Sequence, residues 1–162
     1  MSGYFFHARN LVCVCVDSVD ERHAGGRIFT NYSGDDPMDF FDLGGLVIDL
    51  DSFYDSINFP QASVKLRSFP SKNQTYNPWN EVVGMSEIKD INIAEHRGQV
   101  ATFLVQVQYR QNATWQGTLM WVEKNQKRNF RSALELIKLM DDTLREGYDV
   151  SVSMGQDEHA EN

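Results

Sequence analysis

Residues 99–109, QVATFLVQVQY, carry the pattern that most limits how this chain can fold. Apolar and polar side chains alternate there, which is typical of a strand with one buried face. A second β-rich segment, TWQGTLMWV at 114–122, follows a turn at 111–113 that contains a favourable asparagine. Two such segments joined by a short turn predict an antiparallel hairpin. Its apolar face then needs a covering layer from elsewhere in the chain.

A helix that could supply this layer begins directly downstream. SALE at 132–135 matches a capping box, in which the serine oxygen accepts an amide hydrogen bond and the glutamate reaches back. Apolar residues continue at helical spacing to Leu144, and Gly147 is a favoured residue type for a C-cap. Residues 148–162 are rich in acids, which predicts a frayed acidic tail.

The first part of the chain shows the same order of signals. Residues 11–17 and 27–32 predict another antiparallel hairpin. Asp36-Pro37 resembles an N-cap followed by proline at the first helical position. A helical stripe of apolar residues then runs from Leu46 to Ile57, and Pro60 predicts that the helix ends before it.

Together these signals predict an α+β fold in a single domain spanning residues 1–147. We expect an antiparallel sheet built from two ββα halves, with both helices packed on one face. Between the halves, Val64 to Phe69 could form a short strand, and residues 70–98 form a long, partly mobile excursion. Residues 148–162 are predicted to stand apart as the acidic C-terminal tail.

Charge is distributed unevenly along the chain. Residues 28–64 contain seven aspartates and no lysine or arginine. Capping and solubility explain part of this pattern, because a helix N-terminus favours nearby acids. The alternative is an acidic surface that docks on a basic partner, or that competes with nucleic acid for one. The candidate partner-binding residues are Asp39, Asp42, Asp49, Asp51 and Asp55. The segment has no calcium-loop pattern, so we expect no metal.

A second candidate site lies around the later hairpin. Trp115 and Trp121 fall on the same face of a strand, where they could be core residues or a stacking surface for a base. Arg110 could reach over such a surface, and a basic turn follows it. The alternative ligand-binding set is Arg110, Trp115, Trp121, Lys127, Arg128 and Arg131.

Motifs for catalysis are missing from the sequence. It has no HExxH, P-loop, GxGxxG or GxSxG pattern, and its four histidines share no metal-ligand spacing. Cys13 and Cys15 lie in an apolar run, which favours buried, reduced thiols in the cytoplasm. We therefore expect a protein that is not an enzyme and needs no cofactor.

The formal net charge of −8 argues against direct binding of nucleic acid. No apolar run is long enough to cross a membrane, so we expect no membrane partner. An exposed sheet edge could pair two copies into a homodimer.

Three segments also carry a resemblance. CVCVDSVDERHAGGRIFTNYS, NFPQASVKLRSF and RQNATWQGTLMWVEKNQKRNFRSALELIKLMDDTL together resemble a family of small bacterial proteins from gut clostridia and their mobile elements. The resemblance leaves out residues 70–98 and supplies no activity or site to carry over. It implies a plasmid- or phage-borne protein, a setting in which small acidic proteins often inhibit host defence, as anti-CRISPR proteins do. NYSG at 31–34 is only distantly similar to the DxSxxG motif of PilZ-type cyclic-dinucleotide receptors.

Two hypotheses follow. The first is a small acidic binding protein, carried by a mobile element, that inhibits a basic nucleic-acid-binding partner by docking on it. The second is a receptor for a small ligand or nucleotide that uses the arginine and tryptophans of the hairpin.

Overall fold

The computed structural model describes residues 8–67, 69, 76–84, 87–89 and 91–157, with 147–157 as backbone only. Its strands and helices, in chain order, are β1 (Leu11–Val19), β2 (Ala24–Thr30), β3 (Met38–Phe40), α1 (Leu43–Ile57), α2 (Trp79–Val83), β4 (Ala101–Tyr109), β5 (Gln116–Trp121), β6 (Gln126–Phe130) and α3 (Ala133–Asp157). Single 3₁₀ turns lie at Ile93–Glu95 and Val122–Lys124.

The strands form one six-stranded sheet in the order β3-β2-β1-β4-β5-β6. Every neighbouring pair in it is antiparallel. The predicted α+β class and antiparallel sheet are therefore confirmed. The two predicted hairpins are β1–β2 and β4–β5, and they meet because β1 pairs with β4 at the centre of the sheet.

The strand order is symmetric about the central β1–β4 pair. We call β1, β2, β3 and α1 the first half, and β4, β5, β6 and α3 the second half. Each half contains three strands followed by a helix, so the predicted ββα halves are not confirmed. Corresponding residues nevertheless match, because Gly26 on β2 faces Phe40 on β3 as Gly117 on β5 faces Phe130 on β6.

The two long helices also begin in the same way. The side chain of Asp42 accepts a hydrogen bond from the Gly45 amide at 2.6 Å, and that of Ser132 accepts one from the Glu135 amide at 3.0 Å. The fourth, eighth and twelfth residues after each cap are apolar and buried. They are Leu46, Leu50 and Tyr54 in α1, and Leu136, Met140 and Leu144 in α3.

Both long helices contribute to one core on one face of the sheet, as predicted. The inward side of β1 supplies Val12, Val14 and Val16, and these side chains share a core with the buried residues of α1 and α3. The opposite side of β1 places Cys13 and Cys15 in a smaller cluster under the 3₁₀ turn at Ile93–Glu95. The two faces are therefore covered by different parts of the chain.

The start of α1 differs from the prediction. Its N-cap is Asp42, whereas Asp36-Pro37 precedes the edge strand β3. A proline is tolerated next to an edge strand because no ladder bond is lost there. Gly44 and Gly45 are accepted within the first helical turn, since the bond from the Gly45 amide to Asp42 holds that turn.

The end of α3 differs as well. The helix continues past Gly147 to Asp157, so the predicted acidic tail begins inside it. A single glycine lowers helix stability by about 1 kcal/mol relative to alanine, which does not force the helix to end. Residues 158–162 lie outside the described residues.

Within the predicted excursion, two anchor points are described. Trp79 on α2 is buried and donates its indole N–H to the Asp49 carbonyl of α1 at 3.0 Å. The turn at Ile93–Glu95 covers the opposite face of the sheet. The predicted strand from Val64 to Phe69 is wrong for residues 64–67 and 69, because the neighbouring segment makes only an isolated bridge, between Ala62 and Arg110. Residues 68, 70–75, 85–86 and 90 lie outside the described residues.

Candidate functional site

Four aspartates surround the edge strand β3 and the start of α1. Asp35, Asp36, Asp39 and Asp42 are all exposed, and we call this group the acidic surface. The Asp35 Oδ1 atom lies 3.0 Å from the Nε2 atom of His96, and Asp42 caps α1. Asp39 lies on β3 itself, at the free edge of the sheet.

The other three predicted partner-binding acids, Asp49, Asp51 and Asp55, lie along α1. They differ from the acidic surface in burial or in pairing. Asp49 is half-buried, and burial raises the pKa of its carboxyl group, with a smaller contribution from Asp42. Asp51 is half-buried and Asp55 is exposed, and both carboxylates approach the same arginine from the second half.

That arginine is Arg110, and only 4% of its side chain is exposed. Its Nη1 donates to Asp55 at 2.7 Å and to Asp51 at 3.3 Å, and its Nε donates to the Pro60 carbonyl at 2.7 Å. Its guanidinium also lies 5.8 Å from the centre of the Tyr54 ring. Arg110 therefore joins the end of β4 to α1.

The pKa of Asp51 reflects the opposing influences within this cluster. Burial raises the pKa of Asp51, the neighbouring carboxylate of Asp55 raises it further, and Arg110 opposes both effects. Two of the five predicted partner-binding acids and one residue of the alternative site thus belong to a single ion-pair cluster. Arg110 is 59 residues from Asp51 and 55 residues from Asp55 in the sequence, and the fold brings the three side chains together.

The tryptophan face that the sequence left open lies under the helices. Trp115 is buried in the main core and meets the Tyr54 ring edge-on, with the ring centroids 5.7 Å apart. Trp121 is half-buried and packs against the same core, and the Lys124 ammonium lies 6.0 Å from its ring centroid. The structure therefore gives both tryptophans a packing role within this domain.

The other three basic residues of the alternative site lie on or just after β6, at the opposite edge of the sheet from β3. Lys127 and Arg128 are exposed on the edge strand β6, and the Arg128 guanidinium donates to the Lys127 carbonyl at 2.9 Å. Arg131 is exposed and pairs with Glu135 at 3.2 Å. Basic side chains on an edge strand also discourage pairing with another strand.

Among the described residues, two of the surface cavities adjoin α1. One, of about 380 Å³, lies between α1 and residues 62–66 and includes Asp51, Asp55 and Arg110 in its wall. The other, of about 470 Å³, lies between the β1–β2 turn, the start of α1 and α3. Both are lined by a mixture of acids, bases and apolar side chains.

Sequence reasoning missed two surface residues beside the acids. Phe41 is 78% exposed and Ile48 is 68% exposed. A signal for Ile48 was present, because it falls off the apolar stripe that runs from Leu46 to Ile57. Phe41 gave no such signal, since it adjoins the buried Phe40 on a strand too short to show alternation.

Within the described part of the chain, no three or more histidine, cysteine, aspartate or glutamate side chains are grouped so that they could hold a metal ion. None of the helices in that part has the length and apolar character needed to span a membrane. Comparison with protein-family models, with curated proteins and with solved structures finds no match. The function therefore has to be argued from the geometry.

Proposed function

We propose that this chain is a small, non-enzymatic binding protein whose acidic surface docks on a basic protein. The observation that carries the proposal is the exposure of Asp35, Asp36, Asp39 and Asp42 around a free sheet edge, in a segment without lysine or arginine. Exposed carboxylates speed encounter with an oppositely charged surface and disfavour partners of like charge.

The partner class that fits best is a protein that binds nucleic acid. Such a protein presents lysine and arginine to phosphates, and exposed carboxylates can occupy the same surface. Asp42, Asp51 and Asp55 already serve inside this chain, as an N-cap and as partners of Arg110. Asp36 and Asp39 are the acids we expect to contribute most to docking, because neither serves as a cap or as an ion-pair partner within the part of the chain that the structure describes.

A narrower form of the proposal is inhibition. A protein that covers the nucleic-acid surface of its partner blocks binding of DNA or RNA, as an anti-CRISPR protein encoded by a mobile element would. The Arg110 receptor hypothesis has less support, because the Nε and Nη1 groups of Arg110 donate within the protein.

Neutralising two acids without changing the fold tests the proposal. Wild type and the variant Asp36→Asn/Asp39→Asn are used to capture proteins from a nuclease-treated bacterial lysate, and the captured proteins are quantified by mass spectrometry. The matched control, Glu123→Gln/Asp142→Asn, changes the net charge equally at exposed positions that follow β5 in the chain. We expect recovery of nucleic-acid-binding proteins to fall about tenfold with the first variant, and little with the control.

Equal recovery with wild type and the acidic-surface variant would overturn the proposal. The inhibition form has its own readout, which is the DNA or RNA binding of the captured protein. Addition of wild type should displace a labelled nucleic acid from it, and addition of the Asp36→Asn/Asp39→Asn variant should not.

A further inference from the structure

Two large apolar side chains are exposed close in sequence to the acidic surface. Phe41 directly precedes the cap residue Asp42, and Ile48 lies on the outward side of α1, one turn after Gly44. Exposed apolar side chains that are scattered over a surface are common and need no explanation. Their meaning therefore depends on whether the fold itself requires apolar residues at these two positions.

The second half of the molecule answers that question. Counted from the caps Asp42 and Ser132, the residue that corresponds to Phe41 is Arg131, and the residue that corresponds to Ile48 is Lys138. The same helix-on-sheet frame is thus built with charged residues at both positions. The buried positions, by contrast, are apolar in both helices. The fold requires the buried residues and does not require Phe41 or Ile48.

We infer that Phe41 and Ile48 are the apolar anchors of the docking surface, an inference that rests on the proposed function. The partner is a basic protein surface that carries an apolar pocket flanked by lysine or arginine. Interfaces are commonly organised in this way, with a few apolar anchors supplying affinity and a charged rim supplying orientation. Asp36, Asp39 and Asp42 form the rim here.

A second copy of this chain fits the surface less well. Both copies carry a formal net charge of −8, so long-range repulsion opposes their association. The edge strand β6 exposes the basic residues Lys127 and Arg128, but its residues from Gln126 to Asn129 supply no apolar contact for Phe41. A foreign partner that combines both features is therefore the occupant to test.

Two synthetic peptides separate the contributions of charge and apolar contact. The first is an amphipathic helix of lysine and leucine, and the second is the same peptide with serine in place of leucine. Fluorescence anisotropy gives their affinities for the full chain. We expect wild type to bind the lysine–leucine peptide more tightly than the lysine–serine peptide. Phe41→Ser and Ile48→Ser should each weaken binding of the lysine–leucine peptide about tenfold.

The matched control is Leu134→Ser, because Leu134 is also apolar, 61% exposed and near the start of a long helix, but lies in the second half. We expect it to bind both peptides as wild type does. All three positions are exposed, so the variants should keep the far-UV circular dichroism of wild type. Equal losses with Leu134→Ser and Phe41→Ser would overturn the anchor assignment.

The acidic-surface variant Asp36→Asn/Asp39→Asn distinguishes this inference from the proposed function. If it weakens both peptides while Phe41→Ser and Ile48→Ser bind as wild type does, the acidic surface stands and the anchors are wrong. If only the apolar variants lose affinity, the anchors stand and charge-directed docking is wrong. Sedimentation velocity gives the remaining outcome, since self-association abolished by Phe41→Ser would make a second copy the occupant and overturn the foreign partner.

Discussion

The two halves of the molecule share a frame and differ in what they present on it. Both contain a glycine opposite a buried phenylalanine on the next strand, and both begin their long helix with a side-chain cap. At positions counted equally from the two caps, the first half exposes Asp36, Asp39, Phe41 and Ile48, and the second half exposes Gln126, Asn129, Arg131 and Lys138. The comparison teaches that the buried positions follow from the fold and that the exposed positions are free to serve binding.

The halves also differ on the face of the sheet away from the helices. In the first half, Phe29 stacks on His96 with ring centroids 3.7 Å apart, and Arg27 pairs with Asp17 at 2.7 Å. In the second half, Thr118 and Met120 are only half-buried on this face. The segment before β4 thus covers the first half more fully than the second.

Arg110 is the contact whose loss should do the most damage, because it joins the two halves. Arg110→Met removes the partner of Asp51 and Asp55 and leaves the Pro60 carbonyl without its donor. Breaking a buried ion pair from one side costs about 3–5 kcal/mol, although the exposure of Asp55 moderates the loss here. Urea denaturation followed by circular dichroism measures the free energy of unfolding.

The control for this prediction is Arg131→Met in the second half. Arg131 is exposed, and within the described residues its ion pair is with Glu135, so its loss should change stability by less than about 0.5 kcal/mol. If Arg110→Met changes the free energy of unfolding as little as Arg131→Met does, the sheet and the main core alone hold the two halves together.

The paired glycines test whether the halves are equally packed. A Cβ at Gly26 would lie 1.9 Å from the Cys15 carbonyl oxygen, and one at Gly117 would lie 2.1 Å from the Gln106 carbonyl oxygen. Backbone must move in either case, so Gly26→Ala and Gly117→Ala should each destabilise by about 2–3 kcal/mol in urea denaturation. A tolerated alanine at one position alone would contradict equivalent packing.

Gly44→Ala is the matched control for these substitutions. A Cβ at Gly44 meets only the Asp42 side chain, at 3.4 Å, and the residue is exposed within a helix. Alanine there should raise stability by about 0.5–1 kcal/mol, because glycine carries a larger entropy cost on folding.

What could be predicted from the sequence was mainly local. Ser132 was identified as a cap because the relevant atoms lie within four residues, and both hairpins were found because alternation and turn residues are local too. The strand β3 was missed, since three residues are too few to show a period of two. The cluster of Arg110 with Asp51 and Asp55 was beyond reach, because it depends on how the end of β4 approaches α1 across the fold.

The two caps offer a direct comparison of acid and hydroxyl in the same role. Asp42→Ala and Ser132→Ala should each lower the free energy of unfolding by about 1 kcal/mol, since each leaves a helix N-terminal amide without its acceptor. The loss should grow for Asp42 at low salt, because its charge also interacts with the helix dipole. Equal salt dependence for the two variants would contradict that reading.

The smallest expected effect concerns the ion pair between Arg27 and Asp17 in the first half. Hydrogen bonding from Arg27 lowers the pKa of Asp17, and the backbone amide of Gln99 lowers it further, against the opposing effect of burial. A carboxylate whose pKa is lowered by folding stabilises the folded state at neutral pH. That stabilisation disappears as the pH falls through the lowered pKa.

Asp17→Asn should therefore cost about 1 kcal/mol or less at neutral pH, and the gap to wild type should close on acidification. Asp51 changes stability in the opposite direction, because its raised pKa adds stability at low pH that is lost as the pH rises. The Asp51 effect is present in both proteins, so it cancels when their unfolding free energies are subtracted at each pH. Asp142→Asn serves as the control at an exposed site. A gap between Asp17→Asn and wild type that stays constant from neutral to acidic pH would show that Asp17 acts through hydrogen-bond geometry and not through its charge.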